Sequence, residues 1–409
     1  MRILYVSHKI ITFILNEVVA LKAMGHDVSV LTPHNDPQVY KNIVKPFLAS
    51  NNLEGNVHFN FRLSGQQQRS KKLVLFLRAL ARDFIKRPAV TFRHLALMPG
   101  NYKRLGAGVD DYLDMRKMMD TKYDILYSSF STPSMIDQIY FLSQVLQVPF
   151  VLAFRAHDIY ENNNLAEIKY RENKIKKAAA IVTISHLNSE YAKRYFLGGR
   201  ETLVIHSAVD LEFFSRRNVP APKSNSIIAV ARFHEQKGLI DLVRACHILA
   251  NRKIPFSCTL IGRGVEEKRY REEIDTLKIP NITIINYLDR EGVRSALSKA
   301  SVFALPCVIA KNGLRDILPN ALKEAMAMEL PVVTSDISGI GELVEDGCSG
   351  LLTPPGKPEA LANALERLLS DEALRESMGK QGRAKVEKDF NSGVETGKLE
   401  RVFVDSILA

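Results

Sequence analysis

The stretch RDILPNALKEAMAMELPVVTSD, residues 315–336, passes from loop to helix to buried strand without a break. Pro319 suits a first helical turn, because its missing N–H is one a helix start leaves unpaired anyway. Leu322, Ala325 and Met326 then recur at helical spacing, and LPVVTSD reads as a covered parallel strand. Two carboxylates, Asp316 and Glu324, stand on either side of the helix start. Asp316 falls in the loop, and Glu324 falls near the second turn. Backbone amides around Leu318, Pro319 and Asn320 are placed to receive an anion. A loop acid can accept hydrogen bonds from sugar hydroxyls, and a helix acid can hold a ribose diol. The plainer alternative is a helix-capping Asp316 and a solvated Glu324.

The same alternation runs through the whole chain. Strand-like runs are RILYVS, DVSVLTP, VHFNF, DILYSSF, PFVLAFRA, AAIVTIS and TLVIHSA in the first half. SIIAVAR, SCTLIGRG, ITIINYL, SVFALPC, PVVTSD and GLLTP follow in the second. Helical patterns lie between them, among them TFILNEVVALKAMG, GLIDLVRACHILANR and one long pattern PEALANALERLLSDEALRESM. Alternation of this kind predicts an α/β class of two Rossmann-like, doubly wound domains. A polar, proline-bearing break at residues 216–225 predicts the linker. The expected organisation is an N-terminal domain over 1–215, a C-terminal domain over 226–385, and a last helix in 386–409 packing back on the first domain.

Composition sets the class. The chain has 409 residues, 46% apolar and 25% charged, which suits a two-domain globular enzyme. No apolar run is long enough to span a bilayer. The N-terminus reads as a first strand rather than a signal peptide, so a cytoplasmic location is expected. Cys246, Cys258, Cys307 and Cys348 form no CxxC pair, and the histidines show no zinc spacing, so no metal is expected. The net charge of +11 admits nucleic acid, an anionic membrane surface or phosphorylated substrates as partners. Much of the excess lies between Arg62 and Arg116. Over residues 71–86, Leu73, Leu75, Phe76, Leu80 and Phe84 alternate with Lys72, Arg78, Arg82 and Lys86, which describes a basic amphipathic helix. It either packs its apolar side on the domain or docks peripherally on the inner face of the plasma membrane. No nucleic-acid motif accompanies it, so no nucleic-acid partner is expected.

Other stretches add candidate groups. In VARFHEQKGLIDLVRA, Arg232 ends a strand and Lys237 precedes a helix, a pairing suited to a diphosphate or simply to a solvated loop. Gly262 and Gly264 in LIGRG permit a tight turn or close approach of a nucleotide. In SDISGIGELVEDGCSGLL, turns flank a short expected helix, ELVEDG. In VLAFRAHDIYE, His157 follows a buried strand beside Arg155 and Asp158, where it could bond a sugar, act as a base or be structural. The first loop, YVSHKIITFILNE, has no glycine, so a nucleotide is expected on the C-terminal domain instead.

Taken in order, TFILNE, FRAHDIY, TISHLNSEY, VIHSAVDLEFF, VARFHEQKGL, LIGRG, DILPNALKEAMAMELPVV and SGIGELVEDGCSGLL resemble the retaining GT-B glycosyltransferases of family 4. TFILNE looks like the branch acting in colanic acid, amylovoran and similar exopolysaccharide pathways. The resemblance implies transfer of a sugar from a nucleotide diphosphate donor to a saccharide or lipid-linked acceptor. It implies that Arg232 and Lys237 neutralise the diphosphate in place of a metal. Asp316 and Glu324 fit the family's E-x7-E signature, the first acid on the transferred sugar and the second on the ribose, with Asp for the first Glu. His157 fits the histidine near the anomeric centre. Glu329 stands where the family usually has glycine, and Gly341 where proline is common. Two alternatives stay open: a nucleotide-sugar 2-epimerase of the same fold, and a non-catalytic sugar-nucleotide-binding subunit.

Overall fold

The computed structural model describes residues 1–7, 12–32, 44–59, 68–101, 112, 115–116, 118–160, 164–216 and 225–409. All the strand-like runs carry strands there. The first half contributes β1 (Arg2–Val6), β2 (Asp27–Thr32), β3 (Val57–Phe59), β4 (Ile125–Ser128), β5 (Phe150–Phe154), β6 (Ala180–Thr183) and β7 (Leu203–Val204). They form a parallel sheet in the order β3-β2-β1-β4-β5-β6-β7. The second half contributes β8 (Ser226–Val230), β9 (Ser257–Ile261), β10 (Ile282–Ile285), β11 (Val302–Leu305), β12 (Val332–Ser335) and β13 (Leu351–Thr353). Their parallel order is β10-β9-β8-β11-β12-β13.

Helices on both faces explain the unbroken apolar runs. Every residue of β4, β5 and β11 is buried, whereas the edge strand β10 is only partly covered. In each sheet the strand order reverses beside the first strand, between β1 and β4 and between β8 and β11. Successive crossovers leave such a point toward opposite faces, so a crevice opens at the strands' carboxyl ends.

The chain crosses between the domains twice. After β7, the Val209 amide donates to the Phe390 carbonyl at 3.0 Å, where the later segment returns. Arg383 donates to the carbonyls of Phe214 at 2.8 Å and Ala327 at 2.7 Å, tying the crossing to both. The last helix, Ser392–Leu408, starts under Asn391, whose side chain accepts from the Gly393 amide at 2.8 Å. Its Leu399, Val402 and Phe403 share a core with Ile3, Tyr5, Ile125 and Tyr127 of the N-terminal sheet.

Local differences from the sequence reading have simple causes. The single helical pattern from Pro358 splits into Pro358–Ser370 and Glu372–Asp389. Asp371 leaves helical geometry there, and its carboxylate caps the second helix at the Leu374 amide, 2.9 Å away. The helix expected in ELVEDG is confined to Ile340–Leu343, because Val344 is extended. The helix Pro133–Leu146 was not read from sequence, although Pro133 in its first turn and apolar Ile136, Ile139 and Leu142 signal it.

Candidate functional site

The two loops at the C-terminal reversal, after β8 and after β11, are bound to each other. The Val308 amide donates to the Gln236 carbonyl at 3.0 Å, and the Lys311 amide to the Glu235 carboxylate at 3.2 Å. After β8 the chain makes one tight turn, Glu235–Lys237, and enters the helix Leu239–Asn251 through Gly238. Gly238 has φ +63°, and a Cβ there would sit 1.9 Å from the Pro306 carbonyl oxygen. Only glycine permits both the left-handed backbone and this approach.

That approach brings Lys237 to Asp316. Lys237 Nζ donates to Asp316 Oδ1 at 2.8 Å, and Cys307 Sγ lies 3.8 Å from Oδ2. Asp316 is therefore not a helix cap. The helix Asn320–Ala327 begins after Pro319 with no side-chain cap. The Leu318, Asn320 and Ala321 amides have no backbone acceptor among the described residues.

Arg232 is exposed and has no side-chain partner among the described residues. Between it and Lys237 stands His234, which the sequence reading passed over. Burial holds its imidazole below the ordinary value, and the Arg232 and Lys237 cations press the same way, with Glu266 and Asp316 opposing. The signal available in sequence was a histidine lying between the two candidate cations.

Glu324 occupies the second turn and lines a hollow with Asn320, Lys323, Asp210 and Arg290. Burial raises its carboxyl above the ordinary range, while the charges of Arg290 and Lys323 pull it back. Arg290 is held at 2.7 Å by Asp210 from the interdomain crossing and lies over the Phe213 ring at 3.9 Å. Lys323, also missed in sequence, is completely buried. Its ammonium donates to the Ser207 carbonyl across the domain boundary. Burial, helped by the nearby Arg155 charge, lowers its pKa to about 7.

Gly262 and Gly264 each make a close backbone approach. A Cβ on Gly262, which has φ +147°, would lie 1.8 Å from the Ala231 carbonyl oxygen, and one on Gly264 would meet the Phe233 carbonyl oxygen at 2.3 Å. They let the β8 and β9 loops interlock. Glu329, in the turn before β12, and Ser338, in the loop after it, adopt φ +56° and +54°, a left-handed conformation in which a side chain is strained. Gly341 has open space where a Cβ would point.

On the facing domain, Arg155 is buried and donates to the Ser129 carbonyl at 2.7 Å and to Ser207 Oγ at 2.6 Å. Asp158 accepts from the amides of Arg155 at 2.8 Å and Ser131 at 3.1 Å, fixing the loop after β5. His157 is the second residue of the helix Ala156–Tyr160, but its side chain lies outside the described residues.

Known proteins place this arrangement. Residues 211–385 match the family model "Glycosyl transferases group 1". The amylovoran biosynthesis glycosyltransferase AmsK of Erwinia amylovora is 37% identical over 177 residues, 43% of this chain and 44% of its own. The putative colanic acid biosynthesis glycosyltransferase WcaL of Escherichia coli is 37% identical over 201 residues, 48% of this chain and 49% of its own. The matched segments thus span about half the length of these relatives. Two crystal structures align over nearly the full chain. A glycosyltransferase from Rickettsia africae has TM-score 0.71 at 16% identity, covering 99% of this chain and 98% of that one. Anabaena HepE in complex with UDP and glucose has TM-score 0.69 at 17% identity, covering 99% of both. The architecture is therefore GT-B, with the match to the glycosyl transferases group 1 model confined to residues 211–385.

Proposed function

We propose that the protein is a retaining glycosyltransferase of polysaccharide or glycolipid synthesis, moving a sugar from a nucleoside diphosphate donor to a saccharide or lipid-linked acceptor hydroxyl without a metal. One observation carries the reading. Lys237 and Asp316 meet at 2.8 Å at the strand reversal, beside Arg232 and a helix start whose Leu318, Asn320 and Ala321 amides, like the Arg232 guanidinium, have no partner among the described residues. Similarity to HepE, whose crystal structure is a complex with UDP and glucose, supports a nucleoside diphosphate sugar as the donor class.

In this reading the bond between the sugar's anomeric carbon and the diphosphate oxygen breaks, and its electron pair leaves with the diphosphate. Arg232, Lys237 and the amides around Leu318 and Asn320 stabilise that developing charge. Asp316 orients the transferred sugar and Glu324 the ribose, while the Gly262 loop borders the nucleotide. The acceptor oxygen attacks on the face the diphosphate leaves, and the released diphosphate takes its proton. His157 stands on the acceptor side, near the anomeric centre.

A peripheral membrane position fits the same reading. Among the described residues no helix is long and apolar enough to cross a membrane. The helix Gln68–Lys86 buries Phe76, Ala79 and Asp83 against its domain. Leu77, Ala81 and Ile85 form an exposed apolar stripe, next to an exposed basic stripe of Arg78, Arg82 and Lys86. Ile85 is 85% exposed, and Phe92 on the next helix is 66% exposed. Paired stripes of this kind suit an anionic bilayer surface, which accepts both.

The test is a panel of nucleoside diphosphate sugars with lipid-linked and free saccharide acceptors, with and without chelator. Transfer with retained configuration, unaffected by chelation, supports the proposal. An epimerised donor formed without acceptor favours the epimerase. Donor binding with no transfer favours a binding subunit.

A further inference from the structure

The helix His186–Tyr195 belongs to the N-terminal domain, yet part of its cap comes from the other domain. Within its own chain segment, Ser185 Oγ accepts from the third amide, Asn188, at 3.0 Å. The first two amides, of His186 and Leu187, donate to Glu342 Oε2 at 2.8 Å and Oε1 at 2.9 Å. One carboxylate thus satisfies two orphan donors and meets the positive end of the helix dipole.

Glu342 is well placed to couple this contact to the site. It lies in the loop after β12, on the short helix Ile340–Leu343. A Cβ on Gly339 of this loop would lie 2.6 Å from Ile317 Cγ2, so the loop packs directly on the neighbour of Asp316. On the other side of Asp316, Arg315 lies over the ring of Tyr160 from the N-terminal domain at 4.7 Å. Tyr160 in turn donates to Asn188 on the capped helix at 3.2 Å. The seam between the domains therefore runs along both sides of Asp316.

We propose that Glu342 is a positioning residue that clasps the two domains shut over Asp316 by capping the N-terminal domain's helix from outside. Its effect on transfer rests on the function proposed above, but the clasp itself does not. Opening breaks two charge-assisted hydrogen bonds, and closure keeps water from the donor.

The test measures interdomain distance in the full-length protein without ligand. Spin labels go on exposed Tyr170 and Val265, both changed to cysteine in a Cys348→Ser background; the other three cysteines are buried. Glu342→Gln sets an amide N–H against a backbone donor. His186→Pro deletes one donor while suiting the first helical position. Each single variant is expected to shift the distance distribution toward open forms, and the double variant no further than the stronger single one. Thermal midpoints should stay near wild type. In the transfer assay with UDP-glucose, each variant should raise donor hydrolysis relative to transfer by roughly tenfold. Wild-type distances in Glu342→Gln, or additive opening in the double variant, overturn the clasp. A wild-type protein that turns over no donor overturns the proposed function and leaves the distance result standing.

Discussion

The ammonium group of Lys237 and the carboxylate of Asp316 meet at 2.8 Å although 79 positions separate them. The strand reversal between β8 and β11 makes them neighbours, and Gly238 makes the approach close enough. If the pair serves a departing diphosphate, Lys237→Ala should lower turnover by roughly 100-fold or more, since one cation in a water-poor site is worth several kcal/mol of barrier. Steady-state kinetics with the preferred donor checks this. Turnover within a factor of three of wild type removes Lys237 from its assigned role.

Gly238 holds that geometry. Gly238→Ala forces a Cβ against the Pro306 carbonyl oxygen in a left-handed backbone. A loss of about 3 kcal/mol is expected from the combined strain and clash. Urea unfolding measures it, and a change below about 1 kcal/mol would show that the loop relaxes freely.

Glu324 is raised by burial and faced by Arg290 and Lys323. Glu324→Gln keeps the shape and removes the charge. It should preserve folding while weakening nucleoside diphosphate binding by roughly tenfold, the worth of one hydrogen bond to a charged group. Calorimetric titration with UDP reads this, and unchanged affinity would move the ribose away from Glu324.

Lys323 gives stability a pH dependence. Its folded pKa is about 7, against an ordinary value of 10.5. Between those values the unfolded chain holds the extra proton, so stability rises with pH across that window, and the full cost of charging it is carried below pH 7. The slope is at most about 1.4 kcal/mol per pH unit. Chemical denaturation at pH 7 and pH 9 should show this rise in the wild type and a smaller one in Lys323→Met. Equal slopes would locate the dependence elsewhere.

Membrane docking has its own readout. Ile85→Ser with Phe92→Ser should reduce flotation with vesicles rich in anionic lipid several-fold, and Arg78→Ala with Arg82→Ala should do the same. Flotation insensitive to both pairs, or to lipid charge, would leave the exposed stripes without a bilayer partner.

The alternation of covered strands and amphipathic helices determined the two-sheet α/β architecture from sequence alone, because burial on both faces writes itself as continuous Val, Ile and Leu runs. Pro319 and the apolar spacing after it likewise placed Asp316 in a loop and Glu324 on a helix, since local sterics and periodicity suffice for that. What lay across the chain was not legible. Nothing near Asp316 in sequence names Lys237 as its partner, nothing near Lys323 names Ser207, and nothing near Glu342 names the helix at His186. Those contacts exist because strand order and domain packing bring distant loops together, and a charge inside a fold takes whichever partner the tertiary structure delivers.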